Sequence, residues 1–174
     1  AVPDDPLACQ VNEAQPFLIS LAGAQEKTAF VRVNGYWCRP LGATPSTHIF
    51  KLPFGVIAHM TRLDMFDSVE NEWLCALILK EFGLPVAACQ SMQFEDTKAL
   101  VVERFDRTWW THPEGGQRLV RLPQEDMCQA MGIAPEAKYE ADGGPGIDGI
   151  LDLLDGSITR EQDRRDFFKV QLLF

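Results

Sequence analysis

The sequence lacks the cysteine and histidine spacings that build metal sites and disulfide frameworks. Its five cysteines are odd in number, widely scattered and never in a C-x-x-C arrangement. The three histidines show no ligand spacing with one another or with a cysteine. These absences argue against a zinc site and against a disulfide scaffold. We therefore expect buried, reduced thiols and no metal site built by protein side chains alone.

The chain also lacks an excess of positive charge and a long apolar run. Its formal net charge is −9 over 174 residues, whereas nonspecific nucleic-acid binding needs clustered Lys and Arg that release counterions. No stretch approaches the roughly 18 uninterrupted apolar residues of a membrane span, and no basic-then-apolar leader opens the chain. We therefore expect a cytoplasmic protein with no membrane partner.

The sequence does have the composition of a folded globular protein, with 46% hydrophobic and 24% charged residues. Segments with strand character come first and helical segments come later, which is typical of an α+β fold. Asn34-Gly35 is a strong signal for a tight hairpin turn. The predicted strands are 17–20, 28–33, 47–52, 87–94, 98–105 and, as an edge strand, 117–122.

The first helix is predicted to begin after Asp67 and to end at Gly83. Asp67 and Glu70 have the spacing of a capping box, and Gly83 is a typical helix stop. Later helices are predicted over 124–131, with Pro123 in the first turn, and over 147–154 and 160–174. We divide the chain near residue 107 into a sheet-rich lobe (1–107) and the beginning of a helical lobe (108–174).

Small residues between the first two predicted strands suggest a turn that covers phosphates. Residues 21–27 allow the backbone to turn tightly and approach a ligand, and Lys51 stands within an otherwise apolar strand. A kinase needs such a turn, a strand lysine, a helix glutamate that holds the lysine, and a strand end beside the adenine. The turn is neither G-x-G-x-x-G nor a Walker sequence. On spacing alone, an ordinary hairpin turn and a lysine that extends from a sheet edge into water remain the commoner interpretations.

Five longer motifs together resemble the HipA family of serine/threonine toxin kinases, in the same order and at similar separations. They are ISLAGAQEKT at 19–28, THIFKLP at 47–53, VERFDR at 102–107, RLPQEDMCQ at 121–129 and KYEADGGPG at 138–146. The resemblance runs from about residue 19 to the end of the chain. It implies an antiparallel-sheet, kinase-like N-lobe, followed by the start of a helical C-lobe, and the use of ATP and magnesium.

The resemblance also implies a role for individual residues. The ATP-binding residues would be a phosphate-covering loop (Ala22, Gly23, Ala24, Gln25, Glu26 and Lys27), a phosphate-pairing lysine (Lys51) and a segment beside the adenine (Glu103, Arg104 and Phe105). Glu70 and Glu72 are both candidate partners of Lys51, and we favour Glu72 because it faces away from the Asp67 cap. Arg104 and Arg107 have a simpler alternative role, which is to pair with nearby acids.

Ser20 matches the serine that HipA kinases phosphorylate on themselves. A phosphate there would add about two negative charges beside a loop that wraps another phosphate, and the two would compete. From the residues alone, an exposed turn hydroxyl is the commoner interpretation of Ser20.

The residues that perform phosphoryl transfer are missing from the sequence. HipA kinases supply the catalytic aspartate and the magnesium ligands from an Asp-Gly-His-Ala-Lys-Asn stretch and a later aspartate, which would follow Phe174. We therefore expect a truncated chain with no catalytic residue or magnesium ligand of its own, and no autophosphorylation at Ser20 by this chain alone.

Two functions stay open: a portion of an active ATP-dependent serine/threonine kinase toxin, or a catalytically inactive nucleotide-binding or interaction module. The resemblance implies a HipB-type antitoxin as partner, DNA contact only through that antitoxin, and an aminoacyl-tRNA synthetase as protein substrate.

Overall fold

The computed structural model describes residues 25–58 and 62–174. The chain divides into two compact units, one that ends at Leu122 and one that covers Pro123–Phe174. In chain order, the strands and α-helices of the described part are β1 (Lys27–Val33), β2 (Tyr36–Cys38), β3 (His48–Lys51), β4 (Gly55–Ala58), β5 (Arg62–Met65), α1 (Ser68–Glu81), β6 (Cys89–Phe94), β7 (Thr97–Glu103), β8 (Arg107–Thr111), β9 (Gln117–Arg121), α2 (Met127–Ala130), α3 (Ile147–Leu154) and α4 (Arg160–Leu173).

The first unit is built on a five-stranded antiparallel sheet with the strand order β2-β1-β3-β7-β6. This confirms the predicted α+β fold with an antiparallel sheet. The predicted strands over 28–33, 47–52, 87–94 and 98–105 are present, each shifted by no more than about two residues at either end, as is usual for element boundaries. The predicted strand 17–20 lies outside the described residues.

The turn between β1 and β2 is the one that the sequence predicted. Asn34 and Gly35 have φ angles of 50° and 86°, and Val33 pairs directly with Tyr36 across the turn. Two successive residues with positive φ match the right-handed twist of the flanking strands. The Asn-Gly pair therefore sets the register of this hairpin.

The core of the first unit lies on both faces of the central strands. Ala29 and Leu100 are buried on one face, and Phe50 and Val101 are buried on the other, because successive side chains of a strand alternate between faces. Phe50 also contacts the rings of Phe30, Trp37 and Phe94. Helix α1 packs against β6 and β7.

Helix α1 ends as predicted, but it does not begin with a capping box. The side chain of Asp67 makes no cap hydrogen bond, and the backbone of Asp67 (φ −87°, ψ 13°) lies outside the extended region that a capping residue adopts. The carboxylate of Glu70, the other half of the predicted box, is engaged by Lys98 of β7. At the other end, the N–H of Gly83 bonds to Lys80 O and that of Leu84 bonds to Leu79 O. With Gly83 at φ 73°, this is a Schellman motif.

The first unit includes two hairpins whose pairing the sequence did not reveal, β4 with β5 and β8 with β9. The strand predicted at 117–122 is present as β9, and its partner β8 carries Trp109 and Trp110. The N–H of Leu122 donates to Asp106 O at 2.9 Å. This bond links the end of β9 to the segment that connects β7 with β8. The compact unit therefore ends at Leu122, later than the division we placed near residue 107.

The second unit contains α2, α3 and α4, with two short 3-10 segments at Pro135–Ala137 and Glu140–Asp142. The predicted helices 147–154 and 160–174 are confirmed. Helix α2 is shorter than predicted: it begins after Asp126, whose side chain forms a reciprocal capping box with Gln129. A cap three residues beyond Pro123 explains the later start.

Three of the cysteines, Cys75, Cys89 and Cys128, are free thiols. Cys38 is disulfide-bonded, so the expectation of a reduced thiol is wrong at this position.

No helix of the described part is both long and apolar enough to cross a membrane.

The packing predicts that Leu100 is a main determinant of the stability of the first unit. Leu100 is 1% exposed in the centre of β7, so Leu100→Ala should lower the free energy of unfolding by about 2–5 kcal/mol. All four tryptophans lie in this unit, so urea unfolding followed by tryptophan fluorescence measures the effect. The control is Leu74→Ala, because Leu74 is 56% exposed on α1; equal losses for both variants would contradict this account of the core.

Candidate nucleotide-binding site

The last residues of the predicted phosphate-covering loop lie beside the predicted phosphate-pairing lysine. Lys27 of β1 is directly opposite Lys51 of β3 in the antiparallel register. Leu52 N donates to Glu26 O at 3.0 Å, and Gln25 Nε2 donates to Leu52 O at 2.7 Å. The ladder and the Gln25 side chain together hold residues 25–27 against the end of β3. Ser20 and Ala22–Ala24 lie outside the described residues.

Lys51 is bound to the helix on the same face of the sheet. Its Nζ donates a hydrogen bond to Glu72 Oε1 of α1, and the two side chains are 26% and 40% exposed. Glu72 is the partner that we favoured from the sequence. Glu70, the other candidate, accepts a hydrogen bond from Lys98 instead, and Lys98 holds the pKa of the Glu70 carboxyl below its usual range. Each of the two glutamates thus forms an ion pair with a different strand lysine.

The predicted adenine segment begins where β7 leaves the sheet. Glu103 N donates to Ala88 O at 2.8 Å, and Arg104 N donates to Thr47 O at 2.9 Å. The next residue, Phe105, has a side chain that is 73% exposed. Residues 103–105 therefore lie at the start of β3, whereas Lys51 lies at its end.

A cavity of about 430 Å³ also borders Glu103, with Arg32, Thr47, His48 and Trp109 among its lining residues. Glu103 pairs directly with His48, and positions 48 and 51 point to opposite faces of the strand. Burial lowers the pKa of the His48 imidazole, although Glu103 acts in the opposite direction. This cavity is therefore separate from the face that carries the Lys51–Glu72 pair.

A buried ionic cluster follows the adenine segment, and we call it the Asp106 clasp: Asp106, Arg104 and Arg107. Arg104 donates to both carboxylate oxygens of Asp106, at 2.9 and 2.7 Å, and Arg107 Nη1 donates to Oδ2 at 2.6 Å. Arg107 Nε also donates to Ser46 O at 2.8 Å. The three side chains are 8–14% exposed. The alternative role of Arg104 and Arg107, pairing with a nearby acid, is confirmed.

The clasp shifts the ionisation of its own members. The hydrogen bond from Arg104 is the main cause that lowers the pKa of the Asp106 carboxyl, and the charges of both arginines add to it against the effect of burial. Burial is the main cause that lowers the pKa of Arg107. The sequence signal for this cluster is the spacing R-x-D-R at 104–107, which places two guanidinium groups around one carboxylate. No group of three or more His, Cys, Asp or Glu side chains in the described part is arranged to hold a metal ion.

The clasp predicts a stability that depends on pH. A carboxyl whose pKa is depressed in the folded state stabilises the fold above its unfolded pKa, about 3.9, and loses that contribution as the pH falls through the folded pKa. Asp106→Asn should therefore lower the free energy of unfolding by about 3 kcal/mol or more at pH 7. Urea unfolding from pH 7 to pH 3 should show this difference narrowing below about pH 4. Glu70→Gln is the control, with a smaller expected difference at pH 7 because the Lys98 and Glu70 side chains are 42% and 40% exposed. A difference for Asp106→Asn that is constant with pH would refute the assignment.

Comparison with known proteins shows that the chain is similar to HipA proteins. The HipA-like C-terminal domain family matches residues 19–174. A protein of Sinorhizobium fredii named "Putative kinase Y4mE" is 35% identical over 136 residues, which cover 78% of this chain and 30% of that protein. The serine/threonine-protein kinase toxin HipA of Shewanella oneidensis is 34% identical over 138 residues, which cover 79% of this chain and 29% of the toxin. The chain thus spans about 30% of the length of these curated relatives.

A solved structure gives the same result for the fold. A chain in the complex of Shewanella oneidensis HipA, HipB and operator DNA matches with a TM-score of 0.66 and 29% identity, over 89% of this chain and 37% of that chain. The described part of the chain thus has the kinase-like fold of HipA. With a family match over residues 19–174 and relatives above 30% identity, the chain belongs to the HipA-like C-terminal domain family.

Proposed function

We propose that the chain is the nucleotide-binding portion of an ATP-dependent serine/threonine protein kinase toxin of the HipA type. The observation that carries the proposal is the position of Lys51, which is bound to Glu72 of α1 and lies beside residues 25–27 at the end of β3. In protein kinases, a strand lysine held by a helix glutamate pairs with the phosphates of ATP, beneath a turn of small residues. Both partners of that pair are present here on the expected elements.

The residues of this chain would bind and orient ATP. Lys51 would donate to phosphate oxygens, and Glu72 would hold the ammonium group in place. Residues 22–27 would cover the phosphates, and the backbone of 103–105 would bind the adenine edge. Magnesium, when bound, neutralises charge on the β- and γ-phosphates; its ligands and the catalytic aspartate are expected outside this chain.

The partner and the substrate are proposed from the relatives. The matched Shewanella HipA is solved with HipB and operator DNA, which supports a HipB-type antitoxin as the partner of this protein. DNA contact would then be indirect. The resemblance to HipA kinases supports an aminoacyl-tRNA synthetase as the protein substrate, and Ser20 as the site of autophosphorylation.

Lys51 is the residue whose loss should most weaken ATP binding. In the full-length protein that contains this chain, Lys51→Met should lower the affinity for ATP by about 10- to 100-fold, because a hydrogen bond between charged groups is lost. Isothermal titration with ATP and magnesium measures the change. The matched control is Lys98→Met, which removes the neighbouring lysine that pairs with Glu70 on the same helix. Equal losses for both variants, or none for either, would reject the assignment of Lys51.

Autophosphorylation distinguishes the active kinase from an inactive nucleotide-binding module. After incubation of the full-length protein with ATP and magnesium, mass spectrometry should find phosphate on Ser20. Ser20→Ala should remove that signal, and Lys51→Met should reduce it strongly because ATP is bound less well. A full-length protein that binds ATP but transfers no phosphate to itself or to a protein substrate would fit the inactive module instead.

A further inference from the structure

We propose that Asp106 is a positioning residue that holds the backbone of residues 103–105 in the conformation that binds the adenine. The inference rests on the proposed function and deepens it, since it names what makes the site selective for one base. The carrying observation is that both ends of this short segment are anchored, one by the sheet and the other by the Asp106 clasp.

The first anchor is the sheet itself. Glu103 N and Arg104 N are bonded to Ala88 O and Thr47 O, at 2.8 and 2.9 Å. These bonds hold the segment between the residue before β6 on one side and the residue before β3 on the other. Up to Arg104, the backbone thus has the rigidity of a central strand.

The second anchor is Asp106. Its carbonyl oxygen accepts from Leu122 N at 2.9 Å and from Arg107 Nη1 at 2.8 Å. Its carboxylate is held by both guanidinium groups, and Arg107 continues to Ser46 O. Asp106 is thus bonded directly to Leu122 at the end of β9 and, through Arg107, to Ser46 before β3.

Phe105 is the single residue between these anchors, and Arg104 closes the loop around it. The Arg104 side chain reaches past Phe105 to form a bidentate pair with Asp106, so residues 104–106 form a closed ring of bonds. The Phe105 side chain is 73% exposed, so packing of its ring does not hold this backbone. The clasp therefore determines where the peptide groups of Phe105 point.

The free-energy penalty of burying the Asp106 clasp supports a role beyond stabilising the fold. Burying one carboxylate and two guanidinium groups carries a large desolvation penalty, and apolar residues of similar volume often stabilise a fold as well or better. A planar, bidentate Arg–carboxylate pair adds geometric specificity. Selection of a base by hydrogen bonds needs such geometric precision, because displaced donors and acceptors lose both affinity and discrimination.

The test separates base binding from phosphate binding in the full-length protein. Arg104→Lys keeps the charge but loses the bidentate fork. Arg121→Lys is the matched control, since Arg121 donates to Ala43 O at 3.2 Å and, among the described residues, makes no hydrogen bond to Asp106. Titrations with ATP, GTP and inorganic tripolyphosphate are compared for each variant. Arg104→Lys should lower ATP affinity by at least about tenfold and narrow the preference for ATP over GTP, while tripolyphosphate affinity changes less than about twofold.

A second variant allows the same test if the first variant does not fold. If Arg104→Lys unfolds, Asp106→Glu is measured in the same way, because it keeps the carboxylate but displaces it by one methylene. Parallel losses of ATP and tripolyphosphate affinity, or an unchanged preference for ATP over GTP, would overturn the inference while leaving the proposed function intact. A wild-type protein that binds no ATP would overturn both.

Discussion

Strand β3 is the constraint on which the candidate site depends. It is only four residues long, and it is hydrogen-bonded to β1 on one side and to β7 on the other. Lys51 lies at its end, and Thr47, just before its start, accepts the bond from Arg104 that holds the adenine segment. With a rise of about 3.3 Å per residue, this strand sets a separation of roughly 13 Å between the two halves of the site. A slip of register by one residue would move Lys51 to the opposite face.

Local chemistry explains which parts of the fold could be predicted from sequence. Asn34-Gly35 and Gly83 each need a positive φ that other residues adopt only under strain, so the turn and the helix end were visible without tertiary information. Lys51 was visible because a single charged residue interrupts an otherwise apolar strand pattern. Glu72 was the favoured partner from helix geometry, but only the register of β3 against β7 brings Lys51 and Lys98 to the same helix.

Tertiary contacts explain the parts that were wrong or missed. The capping box predicted at Asp67 is absent for two reasons. The backbone of Asp67 is not extended, and Glu70 binds Lys98, a residue 28 positions away that no local pattern includes. The β8 strand was missed because two adjacent tryptophans, Trp109 and Trp110, interrupt the alternation of apolar and polar residues that predicts a half-buried strand. The disulfide at Cys38 was missed because scattered cysteines give no spacing signal.

The two ionic clusters of the first unit contribute differently to the protein. The Asp106 clasp is buried, so removal of one member leaves an uncompensated charge and destabilises the fold strongly. The Lys51–Glu72 pair is substantially exposed, and such pairs contribute about 0–1 kcal/mol to stability. A weakly stabilising pair can lose its lysine with little effect on folding. A large loss of ATP affinity in Lys51→Met would therefore reflect a lost contact with the phosphates and not a misfolded protein. The clasp has both a structural and a positioning role, and for that reason its contribution to binding has to be separated by ligands that share phosphates but differ in the base.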